Sequence, residues 1–299
     1  MTLLTLFTAP KPFTDPHINI IQRNALQSWL ALGDEVEVLV IGDEPGLAEA
    51  AAELGAPQLP EVARNDWGTP LLSSIFDLAR QHTRSPYLCY VNADILFLPD
   101  LLAATRIVSQ SEGAFLVIGQ RWDLDIRRPI DFSNGWEERL SRQVKERGSL
   151  HPPAGSDYFI FPRESFRDLP DFAVGRAGWD NWMISYALKN KWAVLDATQS
   201  ITIIHQDHDY RHLPGGQAHY NAEESDDNRR LAGGKANMGL VIDANYRLIE
   251  GKLEPVRPSF ARAVRKLELW LTPAEVRPNG LRWLLARRVK RLRHRLTVK

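Results

Sequence analysis

The stretch Tyr87-Leu88-Cys89-Tyr90-Val91-Asn92-Ala93-Asp94-Ile95-Leu96-Phe97 is an apolar run broken by a polar pair and then resumed. The first half reads as a buried strand. A carboxylate set between two apolar runs is costly to bury unless something pairs with it. At a strand end that partner is a metal, a ligand or a backbone amide, and a plain turn is the structural alternative for Asp94. Cys89, within the run, reads as a packed core residue. As the one cysteine in the sequence it excludes an intrachain disulfide and fits a reducing compartment.

On the N-terminal side, the pattern alternates. Leu3 to Thr8 reads as a strand, ended by Ala9-Pro10-Lys11-Pro12. Asp15-Pro16 offers an N-cap and an N1 proline for a helix striped by Ile18, Ile21, Ala25, Trp29 and Leu32. Val36 to Ile41 is a second strand, closed by Gly42-Asp43-Glu44, and an Ala-rich helix runs on to Gly55. An extended piece at Gln58 to Val62 leads through Arg64-Asn65-Asp66 to Thr69-Pro70, which predicts the cap of a helix carrying Leu72, Ile75, Phe76 and Ala79. Such alternation predicts an α/β fold, a mostly parallel sheet flanked by helices. Ligands of open parallel sheets bind beyond the C-terminal strand ends. Lys11, Asp43 and the Asn92/Asp94 pair would share that rim.

On the C-terminal side, strands are expected at Ala114 to Gly119, Tyr158 to Phe161, Trp192 to Leu195 and Ile201 to Ile204, and helices at Gly135 to Arg147 and Trp179 to Lys189. The tail changes character. Leu281 to Lys299 holds eight Lys/Arg and no acid, with Leu281, Leu285, Val289, Leu292 and Leu296 on one helical face. Such a helix either lies on an anionic membrane surface or packs its stripe on the domain. The expected organisation is one domain over 1–255, divided into 1–119 and 120–255. A basic helical extension follows over 256–299. The formal net charge of zero gives no reason to expect a nucleic-acid partner. The start of the sequence lacks a positively charged leader, and no apolar run reaches bilayer length. These features predict a cytoplasmic location, with the tail at the cytoplasmic face of a membrane if it binds one.

Asn92-Ala93-Asp94, placed after a βαβα pattern, resembles the DxD motif of nucleotide-sugar-dependent glycosyltransferases with the GT-A fold, family 2-like. The resemblance implies a GT-A-like catalytic domain over 1–255, with 1–119 the nucleotide-binding half and 120–255 the acceptor-side half, and transfer of a sugar from a UDP- or GDP-sugar to an acceptor hydroxyl on a glycan, lipid or small molecule. It implies Mn²⁺ or Mg²⁺ at the diphosphate. Asp94 would hold the ion, with His205 as a further ligand from Ile204-His205-Gln206-Asp207-His208-Asp209-Tyr210-Arg211-His212. Thr8, Ala9, Pro10, Asp43, Arg64, Asn92, Ala93 and Asp94 would bind the nucleotide. Asn92 departs from the motif by bringing no charge.

Within Gly175-Arg176-Ala177-Gly178-Trp179-Asp180-Asn181-Trp182, the resemblance makes Asp180 the catalytic base if the reaction inverts, or else a helix cap, and inverting and retaining transfer both stay open. Trp179 and Trp182 would stack on a sugar. Asp157 would meet the acceptor or donor sugar, and Trp122, Asp123, Asp125 and Trp136 would line an acceptor groove. A zinc site built from the His-rich loop alone stays open. A non-catalytic nucleotide- or carbohydrate-binding protein is the alternative that Asn92 keeps in play. A sugar nucleotidyltransferase is disfavoured, because Thr8 to Phe13 lacks a glycine-rich phosphate loop.

Overall fold

The computed structural model describes residues 2–208 and 223–297. In chain order the first half runs β1 (Leu4–Thr8), α1 (Pro16–Leu30), β2 (Val36–Ile41), α2 (Leu47–Leu54), β3 (Gln58–Leu59), α3 (Leu72–His82), β4 (Tyr87–Val91), β5 (Ile95–Phe97), α4 (Asp100–Val108) and β6 (Phe115–Ile118). It continues with β7 (Trp122–Leu124), α5 (Trp136–Arg147), β8 (Ser149–Leu150), β9 (Tyr158–Pro162), α6 (Trp179–Lys189), β10 (Ala193–Asp196) and β11 (Ile203–Gln206). The last elements are α7 (Glu223–Leu231), β12 (Tyr246–Ile249), β13 (Lys252–Pro255), α8 (Phe260–Leu271) and α9 (Gly280–Thr297).

The apolar runs assemble into one large sheet of order β13-β12-β10-β6-β9-β4-β1-β2-β3. The neighbours β1/β2, β1/β4, β2/β3, β6/β10 and β10/β12 are parallel. β9 runs antiparallel between β4 and β6, and β13 antiparallel to β12. Both faces are covered, as near-continuous apolar strands require. On one face Leu4, Leu6, Cys89 and Val91 pack with Ala25 and Trp29 of α1. On the other, Phe7, Tyr90 and Phe161 gather round Phe76 of α3, with ring centroids 5.1–5.6 Å apart. The α/β sheet flanked by helices is the expected fold class, and the chain closes with the helices α8 and α9.

The interruption at Asn92–Asp94 marks a change of sheet. β4 belongs to the large sheet, whereas β5 joins a small one of order β5-β11-β7-β8. α1 fastens that small sheet from behind. Trp29 Nε1 donates to the Ile95 carbonyl at 2.9 Å, and the buried Gln206 donates to the Ile21 carbonyl at 2.7 Å.

Two local expectations need correction. Thr69-Pro70 does not cap α3, whose N-cap is Leu71 and carries no side-chain bond. The amides there are satisfied by backbone instead: Leu71 donates to Ala63 and Leu72 to Phe172, both at 2.9 Å. The strand expected at Ile201 to Ile204 starts at Ile203, which brings His205 inside β11 rather than after it.

Candidate active site

The parallel strands β1, β2 and β4 end on one rim, and the small sheet turns more side chains toward it. Asp94 immediately precedes β5. β5 pairs antiparallel with β11, so that Ile95 faces His205 in the ladder. β11 pairs in turn with β7, where His205 is directly opposite Asp123. β7 pairs with β8, which is followed by His151. Four chain segments far apart in sequence therefore deliver Asp94, His205, Asp123 and His151 to one place.

Asp94 Oδ2 lies 3.2 Å from His208 Nε2, 3.8 Å from Lys11 Nζ and 3.9 Å from His205 Nε2. Its other oxygen, Oδ1, is buried without a hydrogen-bond partner among the described residues. Burial alone would push this carboxyl's pKa up. The His208 hydrogen bond and the positive charges of His205 and Lys11 outweigh it and hold the group well below the usual carboxylate range. Asp94, His205 and His208 each offer one ligand atom within a common 4.8 Å span.

His205 is oriented from behind. Its Nδ1 sits 3.1 Å from Asp123 Oδ1 and 3.5 Å from Asp207, leaving Nε2 aimed at Asp94. Burial lowers the imidazole pKa, but the hydrogen bonds to Asp123 and Asp207 and the charge of Asp94 raise it to about 9. A carboxylate behind the far nitrogen is the arrangement that fixes metal-binding imidazoles. Asp123 also accepts from Arg121 Nε at 2.8 Å and meets His151 Nδ1 at 3.0 Å. The donor set of carboxylate and imidazole, with a desolvated and unpartnered carboxylate oxygen, fits a divalent cation such as Mn²⁺ or Mg²⁺.

Asn92 is bound into this rim through Asp157. Its Nδ2 donates to Asp157 Oδ1 at 2.9 Å, and its backbone N–H donates to the Asp157 carbonyl at 3.0 Å. Arg121 donates to both Asp157 oxygens at 3.0 and 3.1 Å. An aspartate at position 92 would put a carboxylate against a carboxylate. The asparagine supplies the donor that Asp157 needs, and the negative charge resides on β9's side of the pair.

Asp180 lies in the first turn of α6, after the left-handed Gly178. The backbone of Gly155 passes so close that a Cβ there would lie 2.2 Å from Asp180 Oδ2. Burial, followed by repulsion from Asp157, raises this carboxyl to about 6 against backbone hydrogen bonds that lower it. It is the carboxylate on this rim whose ionisation is moved toward neutrality, a property expected of an acid–base group.

Other expected residues fall in different surroundings. Thr8 is buried with its hydroxyl unpartnered among the described residues, Pro10 and Ala93 are buried, and Ala9 packs against the core at the end of β1. Asp43 and Glu44 both pair with Arg64, Glu44 at 3.0 Å, so the acid ending β2 is closed by a surface ion pair.

Trp179 and Trp182 do not present free ring faces. Trp179 is buried against Tyr90 and Phe159 at 5.1 and 5.5 Å, and Trp182 packs on Phe172 and Tyr186 at 5.2 and 4.7 Å. Both serve the core, where their apolar area is worth more than at a solvated lip. Trp136 is likewise buried beside Phe132, not at a groove. Asp123, expected at an acceptor groove, stands behind His205 instead. Arg121 and His151 were not anticipated, and His212 lies outside the described residues.

No protein-family model matches this chain, and no curated protein matches it. Among solved structures it is similar to glucosyl-3-phosphoglycerate synthase from Mycobacterium tuberculosis in complex with Mg²⁺ and UDP, at 16% identity over 69% of this chain and 72% of that one, TM-score 0.44. It is also similar to S. aureus TarS, at 13% identity over 78% of this chain and 39% of that one, TM-score 0.46. A third is a mannosyltransferase from Pyrobaculum calidifontis in complex with GDP-Man and Mn²⁺, at 13% identity over 67% and 56%, TM-score 0.41.

Proposed function

We propose that the chain is a glycosyltransferase moving a sugar from a UDP- or GDP-sugar to an acceptor hydroxyl. The observation that carries this reading is the Asp94–His205–His208 triangle at the C-terminal rim of a parallel sheet, with Asp94 Oδ1 buried and unpartnered. A divalent cation bound there neutralises charge that develops on the diphosphate leaving group. Asp94 and His205 are the residues that would hold it, with His208 as a third. Asp123 holds the His205 Nδ1 proton, so the proton displaced by the ion would be the one on Nε2, the nitrogen that faces Asp94. Thr8 to Pro10, Asp43, Arg64 and Asn92 to Asp94 border the nucleotide, and the Asn92–Asp157–Arg121 network borders the sugar.

Asp180 is assigned as the base. An acceptor hydroxyl gives its proton to the Asp180 carboxylate as its oxygen bonds to the anomeric carbon. The nucleoside diphosphate leaves with the electron pair of the broken bond. With a pKa of about 6 the group is ionised at neutral pH yet basic enough to take the proton.

Lys11 favours a second reading of the same rim. Its ammonium lies 3.3 Å from His208 Nε2 and 3.8 Å from Asp94 Oδ2, where it can itself face a diphosphate without a metal. One assay separates the two. Nucleoside diphosphate release from a panel of UDP- and GDP-sugars is measured with Mn²⁺ and with chelator, for the wild type, Asp94→Ala and Lys11→Met. Release that needs the ion and is lost in Asp94→Ala supports the first reading. Release that survives chelation and is lost in Lys11→Met supports the second. Metal-dependent nucleotide binding without release from any donor would make this a binding protein and defeat both.

A further inference from the structure

The α8–α9 hairpin is built with its polar face inward. Arg293 and Glu268 are buried, with Arg293 Nε donating to Glu268 Oε2 at 2.6 Å. Arg265, also buried, donates to Glu268 at 3.0 Å and to Asp243 at 3.0–3.1 Å. Ala286 completes the packed side of α9. Leucines of α9 are exposed beside that packed side: Leu281 is 73% exposed, Leu284 53%, and Leu285, Leu292 and Leu296 39–45%, while Val289 on the same line is half-buried. On α8, Phe260, Leu267 and Trp270 are exposed as well, Trp270 at 70%.

Cations are interleaved with the exposed leucines. Arg288, Arg291 and Arg295 stand within about a quarter-turn of the Leu281–Leu285–Leu292 line, given 3.6 residues per turn, and all three are exposed. Arg282 lies over the Trp270 ring, 6.0 Å from its centroid. Residues 256–299 hold thirteen Lys and Arg against two acids. A helix that presents leucines and arginines together suits a lipid–water interface, where leucines enter the acyl boundary and guanidinium groups stay at the phosphates. A second copy of the chain would meet this face with the same arginines. No helix among the described residues is long and apolar enough to cross a membrane, so the hairpin would lie on the surface.

We propose that the outward face of α8–α9 is a docking surface for an anionic phospholipid bilayer. It does not depend on the reading of the rim. The test is sedimentation of the full chain with vesicles of phosphatidylcholine alone, or with roughly a third phosphatidylglycerol, across a salt series. The wild type should bind the anionic vesicles, leave the neutral ones and dissociate at high salt. Two triple variants, Leu281→Gln/Leu284→Gln/Leu285→Gln and Arg288→Gln/Arg291→Gln/Arg295→Gln, alter exposed positions and should keep the wild-type melting midpoint. Each should lose on the order of a hundredfold in vesicle partitioning, whereas Lys145→Gln/Arg147→Gln on α5 should lose little. The salt series on unaltered protein stands even if a variant misfolds. The proposal is overturned by absence of wild-type binding to anionic vesicles, by salt-insensitive binding, or by folded variants that bind as the wild type does. It is equally overturned by a wild-type dimer in light scattering that the leucine variant dissociates, which would assign the face to a second copy.

Discussion

Asp180 carries a cost that its proposed role explains. In the folded chain its carboxyl ionises near pH 6, against 3.8 for an ordinary aspartate. The folded value is raised, so the native state holds the proton more tightly than the unfolded one. The group's contribution is fully favourable below about pH 4 and is lost as pH rises through about 6, a penalty on the order of 3 kcal/mol at neutral pH. Asp180→Asn should therefore raise the unfolding free energy by up to about 3 kcal/mol at pH 7.5 and change it little at pH 4, while lowering turnover by about 10²- to 10⁴-fold. For the wild type, kcat/KM should climb as pH rises through about 6 and then level off. Urea melts at the two pH values, set beside nucleoside diphosphate release, check both halves. An Asn variant no more stable than wild type at pH 7.5 would remove the strained-carboxylate account.

At the scale of elements, the site belongs to the small sheet more than to the large one. β7 is three residues long, yet it fixes His205 by placing Asp123 opposite it. Asp123→Asn keeps the size and a hydrogen-bond acceptor but removes the charge behind Nδ1. Mn²⁺ affinity should fall about 10- to 100-fold, read by titration of the free ion's magnetic resonance signal, with the fold unchanged. Unaltered affinity would mean that His205 needs no charged support.

The same geometry explains what the sequence could and could not disclose. β1, β2 and β4 are legible because buried parallel strands are unbroken apolar runs, and Asp94 is conspicuous as the polar break after one of them. His205 is legible as a polar residue ending an apolar run. Asp123 is not, because its link to His205 spans 82 residues and rests on pairing between two very short strands. Trp179 and Trp182 misled because rings beside a helix start look alike whether they face a sugar or the core. The deciding neighbours, Tyr90, Phe159 and Phe172, come from other elements.

For the whole molecule, a formal net charge of zero conceals a division. The last 44 residues are strongly basic, and the remainder of the chain carries the compensating acids. The buried pair Arg265–Asp243 joins the two parts, and within the basic part Glu268 pairs with both Arg265 and Arg293. Arg277 and Asp226 add a pair between the hairpin's turn and α7. Glu268 is the hub, since its removal leaves two buried guanidinium groups without their shared acid. Loss of one partner from such a network costs about 3–5 kcal/mol, a large part of the roughly 5–15 kcal/mol that holds a domain together. The hairpin can relieve that cost locally by swinging its arginines into water, whereas the large sheet gains nothing by opening. Glu268→Ala should therefore strip hydrogen-exchange protection from α9 and the C-terminal half of α8 while β1, β2 and β4 stay protected. Glu268→Gln, which keeps acceptor capacity for one arginine, should give an intermediate loss. Equal loss of protection in the sheet strands would show instead that hairpin and sheet unfold as one unit, with the buried ion pairs acting on the stability of the entire chain.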